Sequence, residues 1–177
     1  MMLFRTPAIT YQRGVGLLEV LIALLVLSVA ALGFAGLQLT ALNNSTTANH
    51  RAHAALIAQD TIGRIQSNAL GLDVYLSANE WNDRSFTDGT APPNWEDCTS
   101  SGPCTSLEMA AWDIDQVAWT AANSLPVGRV LAQDCPFNMN MGCVIVSWDS
   151  QEPGGCVSEG GVLTDTDTAC FVMEVML

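Results

Sequence analysis

The chain has 177 residues, room for one modest domain with an appendage but not for a second large domain. It carries 18 Asp and Glu, six Arg and no Lys, a formal net charge of −12, so most of its surface repels polyanions. Nucleic acid is therefore not an expected partner.

The charge is unevenly placed. Arg5 and Arg13 lie in the first 14 residues without any acid, whereas all the acids, with only Arg51, Arg64, Arg84 and Arg129, follow. Under the positive-inside rule this keeps the leader cytoplasmic and sends the C-terminal part across a membrane. From Val15 to Leu37 the sequence reads VGLLEVLIALLVLSVAALGFAGL, in which Glu19 is the only charge and Ser28 the only other polar side chain. As a helix rising about 1.5 Å per residue this run reaches roughly 35 Å, enough to cross a bilayer core of about 30 Å.

Beyond it, Ala55, Ala58, Ile62, Ile65 and Ala69 recur three and four residues apart, the stripe of an amphipathic helix. No proline occurs between Pro7 and Pro92, so one helix is predicted from about residue 15 to 70, capped near Gly71. Gly33, Gly36 and Gly63 are its weakest points. Residues 71–104, with Asn79, Asn82, Asp83, Asp88, Gly89, Pro92, Pro93 and Asn94, read as a surface loop.

Thr105 to Asn123 reads as a second helix, opened by a capping box of Thr105 with Glu108 and given apolar surface by Trp112, Val117, Trp119 and alanines. Leu125-Pro126-Val127-Gly128 ends it. Strands are predicted at Arg129 to Ala132, Val144 to Trp148 and Phe171 to Met176, with CPFNMNMGC as the hairpin connection between the first two. The expected fold class is α+β: a long helix packed on a small antiparallel sheet, lollipop-shaped, with disulfide-bonded loops.

Cys98, Cys104, Cys135, Cys143, Cys156 and Cys170 all fall in the part placed outside the cytoplasm, where disulfides are the default. The absence of CxxC weakens a redox or zinc-ribbon reading. Six cysteines allow 15 connectivities; the preferred one pairs sequence neighbours, Cys98 with Cys104, Cys135 with Cys143 and Cys156 with Cys170, each closing a short loop rich in turn formers.

Arg13-Gly14-Val15-Gly16-Leu17-Leu18-Glu19 resembles the processing site of type IV prepilins and type II secretion pseudopilins: a short basic leader, glycine before the cut, a hydrophobic first residue, glutamate at the fifth, then an unbroken apolar run. The resemblance implies cleavage after Gly14 by a prepilin peptidase, methylation of the new N-terminus at Val15, and a signature carboxylate at Glu19. A charge inside an apolar helix costs several kcal/mol unless it finds a partner. The freed amine of Val15 on an adjoining subunit is such a partner, and the pair rewards correct register. An ordinary secretory signal cut near Val29-Ala30-Ala31 or Gly33-Phe34-Ala35 is disfavoured by Glu19 within the apolar run.

The apolar segment, its amphipathic continuation, the Leu125 to Gly128 turn and the VIVSWDS strand look like minor pilins of the PilV type. That likeness implies a leader over 1–14, a transmembrane and filament-core half over 15–40, and a periplasmic globular domain over 41–177. It also implies work with other minor pilins, the major pilin and a tip adhesin in priming pilus assembly, indirectly serving adhesion and twitching motility. The inner membrane holds such a subunit before assembly and the pilus after it. Many major pilins have proline where Gly36 stands here, which points to a minor subunit. A minor pseudopilin shares the N-terminal motif and is the alternative, with a membrane-anchored periplasmic binding domain the remote one.

No catalytic constellation and no cofactor site is read: there is no nucleophile elbow and no glycine-rich phosphate loop. His50 and His53 lie three apart on the helix, a spacing read as a solvated face rather than a metal site. Asp165 and Asp167 are weak calcium candidates, read as a polar turn between Cys156 and Cys170.

Overall fold

The computed structural model describes residues 16–82, 84, 86, 103–163 and 168–176. It divides into two compact units, Met1–Ser45 and Thr46–Leu177. In the first unit the described residues form one element, the start of helix α1 (Leu17–Ser67), which runs through Gly33, Gly36 and Gly63 without a break.

In the second unit the α1 residues from Thr46 onward carry the buried stripe Ala54, Ile57, Ala58, Thr61 and Ile65. This lies one residue off the predicted stripe in places: Ala55 and Ile62 are only half-buried, and Thr61 takes the deep position. Its hydroxyl donates to the Ile57 carbonyl at 2.7 Å, so the polar atom is satisfied within the helix and the methyl group can pack. A 3-10 turn at Ala69–Gly71 follows. A Cβ on Gly71 would stand 2.8 Å from the Ser106 carbonyl and 2.9 Å from the Ala110 side chain, so the bare glycine backbone permits this close approach.

The predicted loop over 71–104 is corrected in its first part. Leu72–Tyr75 forms α2 and Ala78–Asn82 forms α3. Both are anchored by aromatics, for Tyr75 and Trp81 are buried and the Trp81 indole N–H donates to the Tyr75 carbonyl at 2.8 Å. Burial of two large rings outweighs the turn-forming asparagines around them.

Helix α4 (Ser106–Ser124) begins with the predicted capping box: the Glu108 N–H donates to Thr105 Oγ1 and the Thr105 N–H to the Glu108 carboxylate. Its buried face is Ala110, Asp113, Ile114, Val117, Ala118, Ala121 and Ala122, while Trp112 and Trp119 are half-buried. The turn Leu125 to Gly128 closes with a Gly128 N–H to Leu125 carbonyl bond at 3.1 Å. Gly128 is required there because a Cβ would sit 2.1 Å from the Ala121 carbonyl oxygen. Val127 beside it has φ +52, a strained value for a β-branched residue.

The main sheet is antiparallel, in the order β1 (Arg129–Cys135), β2 (Asn138–Ser147), β5 (Cys170–Met176). The predicted nine-residue connection shrinks to Pro136 and Phe137, because pairing continues to Cys135 opposite Asn138 across a register shift after Asp134. Central β2 is buried on both faces: Val144 and Val146 on one, Cys143, Ile145 and Ser147 on the other. One continuous core joins it to Ala54, Ile57, Ala58 and Ile65 of α1, Ile114 and Val117 of α4, and Tyr75 and Trp81. A 3-10 turn at Pro153–Cys156 and a small ribbon of β3 (Val157–Ser158) with β4 (Gly161–Val162) precede β5. The fold is α+β, a long helix with an antiparallel sheet.

Candidate functional site

Gly14 and Val15 lie outside the described residues. Glu19 stands in the first turn of α1, with its N–H donating to the Gly16 carbonyl at 2.9 Å. From Leu17 to Leu42 the apolar side chains are exposed on every side of the helix, Leu17 at 85%, Leu32 at 75% and Leu37 at 72%. The two hydroxyls within this stretch turn back on the backbone: that of Ser28 donates to the Leu25 carbonyl at 2.8 Å and that of Thr40 to the Gly36 carbonyl at 3.1 Å. Such self-satisfied hydroxyls suit a medium without water. Glu19 is the one charge of the stretch, and its carboxylate accepts no hydrogen bond and meets no cation among the described residues. By length and composition α1 can cross a membrane.

The second unit holds a different polar group, one that the sequence reading missed. Asp113, on the inner face of α4, is buried; its two oxygens accept from Arg64 of α1 at 2.6 Å and from the Tyr75 hydroxyl of α2. Arg64 also reaches Asp60 at 2.9 Å. Asn68 donates to the Ser106 carbonyl at 2.7 Å and approaches the Tyr75 hydroxyl at 3.5 Å. Burial, then the bond to Asp113, pushes the Tyr75 phenol well above its ordinary range. Burial opposes the charge of Arg64, but its bonds to Asp113 and Asp60 prevail and raise its pKa. The cluster thus holds a fixed charge pattern and ties three helices together. The only advance signal was an aspartate at an inward position of the α4 period.

Cys135 is bonded to Cys143 across the first hairpin and Cys156 to Cys170, joining the 3-10 turn to the start of β5. Cys104 is disulfide-bonded, whereas Cys98, its expected partner, lies outside the described residues. So do the calcium candidates Asp165 and Asp167. His53 is exposed, and the His50 ring meets Trp148 edge to face at 6.4 Å between centroids. Among the described residues no three His, Cys, Asp or Glu converge as metal ligands.

Comparison with known families bears on the exposed helix. The prokaryotic N-terminal methylation motif matches residues 9–35. The family model described as type IV pilin Tt1218 matches residues 36–115, the stretch from the end of the apolar run into α4. Together these matches support a type IV pilin. The motif implies processing by a prepilin peptidase and assembly with other pilins, and with the apolar helix it fits a pilin anchored in the inner membrane before it enters a pilus. Pilins are structural proteins. No curated protein and no solved structure matches the chain.

Proposed function

We propose that the chain is a minor pilin of the PilV type, which primes type IV pilus assembly and takes a place in the tip complex, indirectly serving adhesion and twitching. Cleavage falls after Gly14, Val15 is the methylated N-terminus, and Glu19 sets subunit register. Residues 1–14 are the leader, 15–40 the membrane and filament-core half, and 41–177 the periplasmic domain.

One observation carries the reading: Glu19, the one charge between Leu17 and Leu42, stands without a partner among the described residues, on a stretch of helix whose apolar side chains are exposed on every side. Such a carboxylate gains most from a cation supplied by a neighbouring molecule, and the amine freed at Val15 of an adjacent subunit fits that need. The apolar surface then packs against like helices in lipid or in the filament core.

The intact mass of the exported protein tests the processing step. A mature chain beginning anywhere but Val15 overturns it. Deleting the gene separates the assemblies: loss of surface pili with normal export of secreted enzymes is expected, and the reverse pattern assigns the chain to type II secretion as a pseudopilin.

A further inference from the structure

The sheet of the second unit ends in an edge that is built to continue. β5 pairs with β2 from Cys170 opposite Ser147 to Met176 opposite Met141, in unbroken register. Among the described residues, the backbone of β5 makes no hydrogen bond on its other side. The usual protections of a bare edge are missing: there is no proline, no lysine and no bulge, and Glu174 is the only charge in CFVMEVM.

Burial falls across the sheet in a telling way. On one face Val144 and Val146 of β2 are fully buried, while their neighbours Met173 and Phe171 on β5 are half-buried. On the other face Ile145 is fully buried and its neighbour Val172 is half-buried. Apart from Val175, which is buried opposite Gly142, the layers covering β2 therefore thin out over β5 on both faces. A single apolar face so exposed would suit a helix or a flat partner. Two half-covered faces flanking an unpaired backbone suit another strand, whose ladder bonds satisfy the edge and whose side chains complete the cover on each side.

Charge selects the occupant. The chain has a net charge of −12, and Arg64, Arg84 and Arg129 are each held by acids of the same chain. A second copy docking edge to edge brings this net charge against itself. We infer that the open edge of β5 takes up an extended segment of another protein, apolar residues alternating with lysine or arginine, which lengthens the sheet and pairs a cation with Glu174. This uptake is independent of how α1 assembles.

The test uses the full chain in detergent micelles and three eight-residue peptides: alternating valine and lysine, alternating valine and glutamate, and the first again with every backbone amide N-methylated. Amide hydrogen exchange over Cys170–Met176 locates binding and fluorescence anisotropy measures it. The valine and lysine peptide is expected to slow exchange in β5 at least tenfold, and its N-methylated form to bind at least tenfold more weakly. Glu174→Lys, an exposed change that leaves the core intact, is expected to weaken the lysine peptide about threefold or more. Equal binding of the N-methylated or the acidic peptide, or no protection of β5, overturns the proposal. Strong protection, without peptide, of the β5 amides that do not bond to β2 also overturns it, and if that protection grows with protein concentration the edge belongs to a second copy.

Discussion

Each unit of the molecule places a carboxylate on an apolar helix surface, and the two are treated in opposite ways. Asp113 is buried and fully answered by Arg64 and Tyr75 of its own chain; Glu19 is exposed and answered by nothing among the described residues. Burial forces satisfaction, because an unpaired charge in a closed core costs several kcal/mol. A charge on an open helix carries no such constraint while water reaches it, and meets the same demand only when lipid or other helices close around it. The second unit is thus a finished core, and the exposed helix is one side of a contact still to be made.

The largest expected effect follows from breaking the finished side. Asp113→Ala leaves Arg64 and Tyr75 without their acceptor, and unfolding of residues 46–177 in denaturant, followed by tryptophan fluorescence, is expected to lose roughly 3–5 kcal/mol. Glu19→Ala in the same assay is expected to change stability by less than about 0.5 kcal/mol, yet to lower recovery of the cleaved subunit in sheared filaments. Equal losses of stability at both sites would erase the contrast.

A second pair tests the apolar side of the comparison. Ile114→Ala, at a fully buried position, is expected to cost about 2–5 kcal/mol. Leu25→Ala, with Leu25 64% exposed, should fall within about 0.5 kcal/mol of the parent protein. Replacing Cys156 and Cys170 together by serine releases a loop closed over a sequence separation of 14, with an expected loss of about 3 kcal/mol in the chain-entropy model. The gap between the parent and this variant should close when both are unfolded under reducing conditions.

The smallest effects concern protons and caps. Because the folded state raises the pKa of Tyr75, the stabilisation is complete below the ordinary phenol range, near pH 10, and is lost as pH rises above it. Tyr75→Phe should flatten that alkaline decline in a thermal melt series. Glu108 is shifted the other way, its carboxylate held down first by the Thr105 N–H and then by the Thr105 hydroxyl. Its contribution is present above the ordinary carboxylate range and fades as pH falls through the lowered value. Thr105→Ala, which removes half of the box, should cost about 1 kcal/mol.

What was legible in the sequence is what short-range chemistry decides. The uninterrupted apolar run announced α1, Thr105 and Glu108 announced the start of α4, and alternating apolar residues announced the three strands, because periodicity and capping act over a few neighbouring residues. The basic leader and Glu19 in the apolar run pointed to the assembly family by the same local logic. Contacts between distant segments decided the rest. Tyr75 and Trp81 turned a predicted loop into α2 and α3, Thr61 displaced Ile62 from the deepest position, and the β1–β2 ladder ran on until Pro136 and Phe137 alone were left to turn. Asp113 looked like any other acid on an amphipathic helix until folding set Arg64, 49 residues away, beside it. A side chain's burial depends on what the rest of the chain lays over it, so the partner of Asp113 and the edge of β5, unpaired among the described residues, emerge only in three dimensions.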